Sequence, residues 1–316
     1  MPCLTHVSEQ LEPMARVATE DRVGQDTNLE QENQTAKALA RRRGRYGLFF
    51  WAPVVWLCFI AFCAIFTDLL PLQPRDEGDF SAISAPPWEI KNHPLGTDLL
   101  GRDVLSRILF GARVSLTVGL VATAIGMFFG LMIGLLAGYY RGWVESVITL
   151  GLDTLLALPA LVILLLASVV FGGSLTVVSV SLGFLLIPAF ARVSRANTLN
   201  FAQREFVVAA KAMGARDVRI ICLEILPNVV LPVAAYALVV VAFAIVVEGA
   251  LSFLGLSVAS PTPSWGGMIA EGRESLGETP HISFIPATVM FLTVLSFNLV
   301  GDALRSKLAD LRESAL

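Results

Sequence analysis

Apolar residues in this chain are gathered into runs of about 20, the length that crosses a hydrocarbon core as a helix, and the charges cluster between those runs. In lipid every backbone N–H and C=O must be satisfied by the protein itself, which leaves helices and closed barrels, and runs of this length are those of helices. The expected fold class is therefore all-α and integral to a membrane. Hydrophobic residues make up 55% of the chain, charged residues 16%, and the mean hydropathy is +0.70, whereas soluble domains carry about 25% charged residues. A net charge of −3 offers no footing for nucleic acid, so membrane lipid is the expected surrounding.

Six spans follow in order, at about 48–70, 114–139, 147–170, 175–191, 229–251 and 282–300. The chain divides into a polar tail over 1–40, a first span with its long loop over 41–113, a membrane core over 114–305 holding the loop 192–228, and a charged tail over 306–316. The 1–40 segment is rich in Glu, Gln, Asn and Thr without apolar periodicity and reads as disordered. It lacks the basic start, apolar core and cleavage site of a signal peptide. A short helix is expected around 103–110 in the long loop. In the second span Gly126, Gly130, Gly134 and Gly138 fall on one helical face, a spacing that lets helix backbones approach closely. The turn Phe171-Gly172-Gly173-Ser174 makes spans three and four a helical hairpin.

Six spans place both termini on one side. The basic cluster Arg41-Arg42-Arg43-Gly44-Arg45, the Arg141 turn and the loop 192–228, with Arg192, Arg195, Arg204, Lys211, Arg216 and Arg219, fall together on the side that retains Lys and Arg, the cytoplasm. The turn at 172–174 has no cation and the loop 252–281 has only Arg273, so these face outward.

The cytoplasmic loop carries the most specific pattern. Phe206, Ala209, Ala210 and Met213 recur at spacings of three and four, as on one helical face. Gly214 is placed to end that helix in the left-handed conformation. A second amphipathic piece follows with Val218, Ile221 and Ile225, and Leu226-Pro227 starts the next span. Such a helix could lie on lipid, pack on its own bundle, or dock into a partner's groove.

Ala209-Ala210, Gly214 and Leu226-Pro227 resemble the EAA loop of binding-protein-dependent ABC importer permeases. Val208 stands where that motif has Glu, Glu224 where it has Ile, and Glu205 occupies the acidic place common in the peptide-transporting branch. Further segments are similar to the C-type subunit of dipeptide and oligopeptide permeases: Leu95-Gly96-Thr97-Asp98, Gly101-Arg102-Asp103, Glu248-Gly249-Ala250-Leu251-Ser252-Phe253, Pro263-Ser264-Trp265-Gly266 and Gly301-Asp302-Ala303-Leu304. The resemblance covers about 45–310, although the family often ends in Asp-Ala-Leu-Asp-Pro and this chain has Ser306-Lys307-Leu308-Ala309-Asp310. It implies a type I ABC importer permease fold of six transmembrane helices in the inner membrane. Its coupling helix would be carried by Glu205, Phe206, Ala209, Ala210, Met213, Gly214, Leu226 and Pro227. The implied partners are a homologous second permease, two ATP-binding subunits and an extracytoplasmic binding protein, with peptide as substrate.

No Gly-x-x-x-x-Gly-Lys-Ser/Thr sequence occurs, so ATP and Mg would be bound by partner subunits and this chain would be no enzyme. Cys3, Cys58, Cys63 and Cys222 form no CxxC pattern, and His6, His93 and His281 are scattered, so no metal, cofactor or catalytic site is expected. Asp153 and Glu248 are the acids at or near membrane depth. Each reads either as a pathway or gate group or as a buried acid bonded to neighbouring helices. Trp88 and Trp265 are candidate contacts for a binding protein, or anchors at the lipid interface. An ion-coupled secondary transporter is the competing class, but it predicts repeats with broken helices and leaves the amphipathic loop unexplained. A permease for nickel or another small solute is the other alternative.

Overall fold

The computed structural model describes residues 46–313 apart from Ala259, with side chains over 50–308. The tail expected over 1–40 and the basic cluster at 41–45 lie outside the described residues. The helices are α1 (Tyr46–Phe66), α2 (Val104–Tyr140), α3 (Gly142–Ala157), α4 (Ala160–Phe171), α5 (Leu175–Phe201), α6 (Glu205–Ala212), α7 (Asp217–Arg219), α8 (Leu226–Phe253), α9 (Trp265–Gly272) and α10 (His281–Glu313). A π-helical stretch, Ile220–Ile225, joins α7 to α8. Residues from Pro53 onward form one packed unit. In the unit Met1–Ala52 the described residues begin α1, with the Phe50 and Trp51 rings edge-on at 5.9 Å.

Among the described residues five helices are long and apolar enough to span a membrane, and a sixth crossing exists if α3 and α4 are one span. These two meet at 75°, so the expected third span is not a straight helix. Leu158 is extended (φ −86°, ψ 134°), as a residue before proline is driven to be, and Pro159 then begins α4. Pro188 has no such effect, lying buried inside a continuous α5. The difference is support, since α5 is held along its length by α2, whereas α3 and α4 bury only Leu152, Leu164 and Ser168.

The short helix expected around 103–110 is instead the first turns of α2, which runs 37 residues without a break. Asp103 caps it, its carboxylate accepting from Ser106 N at 2.8 Å. The polar residues that suggested a boundary are satisfied sideways. Arg113 donates to the Ala64 carbonyl at 2.9 Å and to Asp68 at 2.8 Å, tying the end of α1 to α2. The fourth expected span, α5, likewise runs past Ala191 to Phe201.

The central contact is α2 against α5, and it is made by the glycine stripe. A Cβ built on Gly130 would lie 2.5 Å from Phe190 Cβ and 2.7 Å from the Ile187 carbonyl. One on Gly134 would lie 2.5 Å from the Ala191 carbonyl, and one on Gly126 2.7 Å from Leu186 Cβ. The small residues thus let the two backbones touch, which is how helices associate where lipid removes the usual hydrophobic drive. Helix α8 packs on α2 and α10, and α9 lies across α8 and α10.

Candidate functional site

Two ends of the bundle carry the chemistry. At one end α6 and α7 form a helical corner beyond α5. The corner closes as the sequence predicts: Gly214 takes φ +79°, its N–H bonds to the Lys211 carbonyl at 3.0 Å, and Ala215 N–H bonds to the Ala210 carbonyl at 3.1 Å. This is the paired bonding of a left-handed helix stop. Tyr139, at the end of α2, secures the corner by donating to Asp217 at 2.6 Å while Lys211 Nζ sits 4.8 Å over its ring.

The apolar face expected on α6 is divided between two sides. Val207 and Ala210 are buried in the bundle's own core with Leu135, Ile220 and Ile225. Phe206, Val208, Ala209 and Met213 are exposed, Met213 at 82%. Ala210 therefore does not share a free face with Phe206 and Met213. The reason is the 3.6-residue turn, which rotates positions 206 and 210 about 40° apart and leaves the bundle to claim one of them. Glu205 is exposed in the first turn. Pro227 stands in the first turn of α8, and Leu226 packs partly against the core.

At the other end Glu248 is fully buried (0% exposed). Ser115 donates to its Oε2 at 3.0 Å, and Ser252 and Ser257 donate to Oε1 at 2.6 and 3.1 Å. The hydroxyls of Ser252 and Ser264 are 2.9 Å apart, and the Trp265 indole N–H donates to the Ile108 carbonyl at 3.1 Å. The carboxylate so ties α2, α8 and the segment leading into α9. Trp265 is fully buried in this packing, so it presents no surface to a partner or to lipid, contrary to expectation. It packs beside Gly111 on α2, where a Cβ would meet Trp265 Cδ1 at 3.4 Å, an ordinary contact distance. Trp88 is exposed.

Asp153 is bonded to Arg192 Nη2 at 2.6 Å, and both side chains are more than half exposed. Beside it Arg195 pairs with Glu145, so α3 is tied to α5 twice. Arg192 lies level with Gly134 on α2, whose neighbours are Ala191, Ser194 and Arg195. Glu248 lies level with Ser115. Those two α2 positions are about 28 Å apart at 1.5 Å per residue, close to the thickness of a hydrocarbon core. Asp153 and Glu248 therefore mark opposite ends of the bundle. Among the described residues no three His, Cys, Asp or Glu side chains converge on a metal-sized site.

Residues 130–310 match the family described as binding-protein-dependent transport system inner membrane component. The chain belongs to this family. The permease is 38% identical over 83% of its length, and 84% of the relative's, to the glutathione transport system permease protein GsiD of Pectobacterium atrosepticum. It is 42% identical to GsiD of Escherichia coli over 68% of this chain and 71% of that one. A solved structure titled as the inward-facing MetNI methionine ABC transporter has a chain superposing with a TM-score of 0.53 at 18% identity, over 65% of this chain and 96% of its own, which shows the fold. The chain is thus a multi-pass inner-membrane permease subunit of an ABC importer with the type I fold, of the dipeptide and oligopeptide permease group, and not an enzyme.

The permease also holds a charged cluster whose assembly no motif in its sequence marks. Arg102 bonds Asp98 at 2.7 Å and Glu271 at 3.0 Å, and Arg107 bonds Glu271 at 2.8 Å. Alongside, His93 Nδ1 lies 3.0 Å from Asp103. Asp98 and Arg102 are an i,i+4 pair, but Glu271 arrives from a segment more than 160 positions later. Nothing local announces that meeting.

Proposed function

We propose that this permease carries di- and oligopeptides delivered by a separate extracytoplasmic binding protein, beside a homologous second permease and two ATP-binding subunits. The observation that carries the substrate is the 38% identity, over most of both chains, with a relative named for glutathione transport; glutathione is itself a tripeptide. The motifs of the peptide-permease branch, above all the Glu248–Phe253 segment, support the same choice. Uptake of labelled di- and tripeptides and of glutathione by the reconstituted complex tests it. Uptake of nickel chelates alone would turn the reading to the small-solute alternative.

The coupling element in this reading is α6, docked into a groove of an ATP-binding subunit. Its support is the pair of exposed apolar side chains, Phe206 and Met213, on a helix whose other face is packed on the bundle. ATP closure then moves a stiff corner that α5 and α8 flank directly. In membranes, Phe206→Asp is expected to insert normally and to retain about a tenth or less of the bound ATPase, the loss typical of an interface anchor. Gly214→Val meets nothing within 4 Å of its Cβ, but strains the left-handed backbone by roughly 1–2 kcal/mol and is expected to uncouple hydrolysis from uptake. Ala210→Asp acts elsewhere, burying an unpaired carboxylate in the chain's own core, so its amount in the membrane should fall. Normal uptake and peptide-stimulated hydrolysis in both Phe206→Asp and Gly214→Val would sink the assignment.

This placement puts α6 in the cytoplasm and the 254–264 segment outside. A membrane-impermeant thiol reagent added to sealed right-side-out vesicles should label Ser84→Cys and Thr262→Cys and spare Ala215→Cys. Labelling at 215 would invert the topology.

A further inference from the structure

Beside the Glu248 network a cavity of about 480 Å³ opens between the segment 253–263 and α9. Its charged lining is Arg107, Glu271 and Arg273, with the hydroxyl residues Ser252 and Ser264 beside them. Arg107 is 1% exposed. Its Nη2 donates to both Glu271 oxygens at 3.1 and 2.8 Å. Its Nε lies 3.4 Å from Asp98 Oδ2 without making a hydrogen bond, and its Nη1 has no partner. A buried guanidinium with unused donors on two of its three nitrogens is costly, and such groups in folded proteins ask for an acceptor. Arg102 and Asp98 offset each other behind the wall and Glu271 offsets Arg107. Arg273, the other cation of the lining, is half exposed, lies 3.8 Å from Glu274 and stacks 5.3 Å from the Phe253 ring.

We propose that this cavity is a carboxylate-binding subsite of the permease, taking the C-terminal carboxylate of the arriving peptide between Arg107 and Arg273. The inference rests on the peptide reading above. A guanidinium fork matches a planar carboxylate bidentately. The volume falls within the range of small-molecule sites and suits the end of a short peptide.

The test reads occupancy of the permease without the binding protein. In the assembled complex, with the four native cysteines replaced, Thr262→Cys on the cavity wall is labelled by a maleimide at increasing dialanine or dialanine amide. The free acid is expected to protect the thiol and the amide to require about tenfold more, the loss expected for a charge-assisted pair. Arg273→Gln should erase most of that preference, and Arg107→Lys, which keeps the charge and loses the fork, should weaken it. Equal protection by acid and amide, protection by neither, or an undiminished preference in Arg273→Gln overturns the subsite. So does protection by ligand-free binding protein alone, which would assign the cavity to a protein side chain. If acid-selective protection holds while the wild-type complex takes up no peptide, the peptide reading fails and the carboxylate site stands.

Discussion

Gly130→Val is expected to leave little folded permease. The new side chain would stand where Phe190 Cβ, the Ile187 carbonyl and the Ala191 nitrogen already lie within 2.5–2.9 Å. Two of those are backbone atoms, which cannot rotate away, so α2 and α5 must separate along their main contact. The cost is at the upper end of overpacking, about 3 kcal/mol or more, and the neighbouring contacts at Gly126 and Gly134 would loosen with it. Thermal unfolding in detergent, read beside membrane abundance, measures the effect. Gly151→Ala is the matched control, because its Cβ meets nothing within 4 Å and alanine favours the helix by up to about 1 kcal/mol. Equal stability of Gly130→Val and wild type would refute the close-packed α2–α5 contact.

Glu248→Ala is expected to be nearly as damaging. It removes the shared acceptor of three serine hydroxyls and leaves an empty volume at a fully buried position. Relief from burying a carboxylate offsets part of this, leaving a net loss of about 3 kcal/mol. Glu248→Gln keeps the volume and one oxygen acceptor, so it should lose less than half as much. The local readout is protease cutting within 254–264, which should rise sharply in the alanine variant and modestly in the glutamine variant. Unchanged cutting in both would show that the serines do not depend on this acid. If Glu248→Gln matches Glu248→Ala, the charge itself holds the segment.

The membrane helices were legible because each is a local property. A run of about 20 apolar residues is helical wherever it sits in lipid. The glycine stripe on α2 and the left-handed stop at Gly214 were equally readable, the first because four-residue spacing defines a helical face, the second because few residues accept that backbone. Hydropathy does not show that α2 already starts at Val104, because a polar residue there is satisfied sideways, Arg113 reaching to Asp68 and the Ala64 carbonyl. Proline was ambiguous for a related reason. Pro159 breaks a helix pair and Pro188 does not, and only packing against α2 separates them.

By itself, the sequence determined the membrane class, the helices and the amphipathic corner, since hydropathy, periodicity and turn chemistry act within a few residues of their source. Tertiary structure decided which way each side chain on those elements faces and what it meets. It turned Ala210 inward and left Phe206 and Met213 free. It buried Trp265. It brought Arg107 to Glu271 and Glu248 to Ser115 across separations of 164 and 133 positions. Contacts of that range depend on how whole helices cross, and no local pattern encodes the crossing.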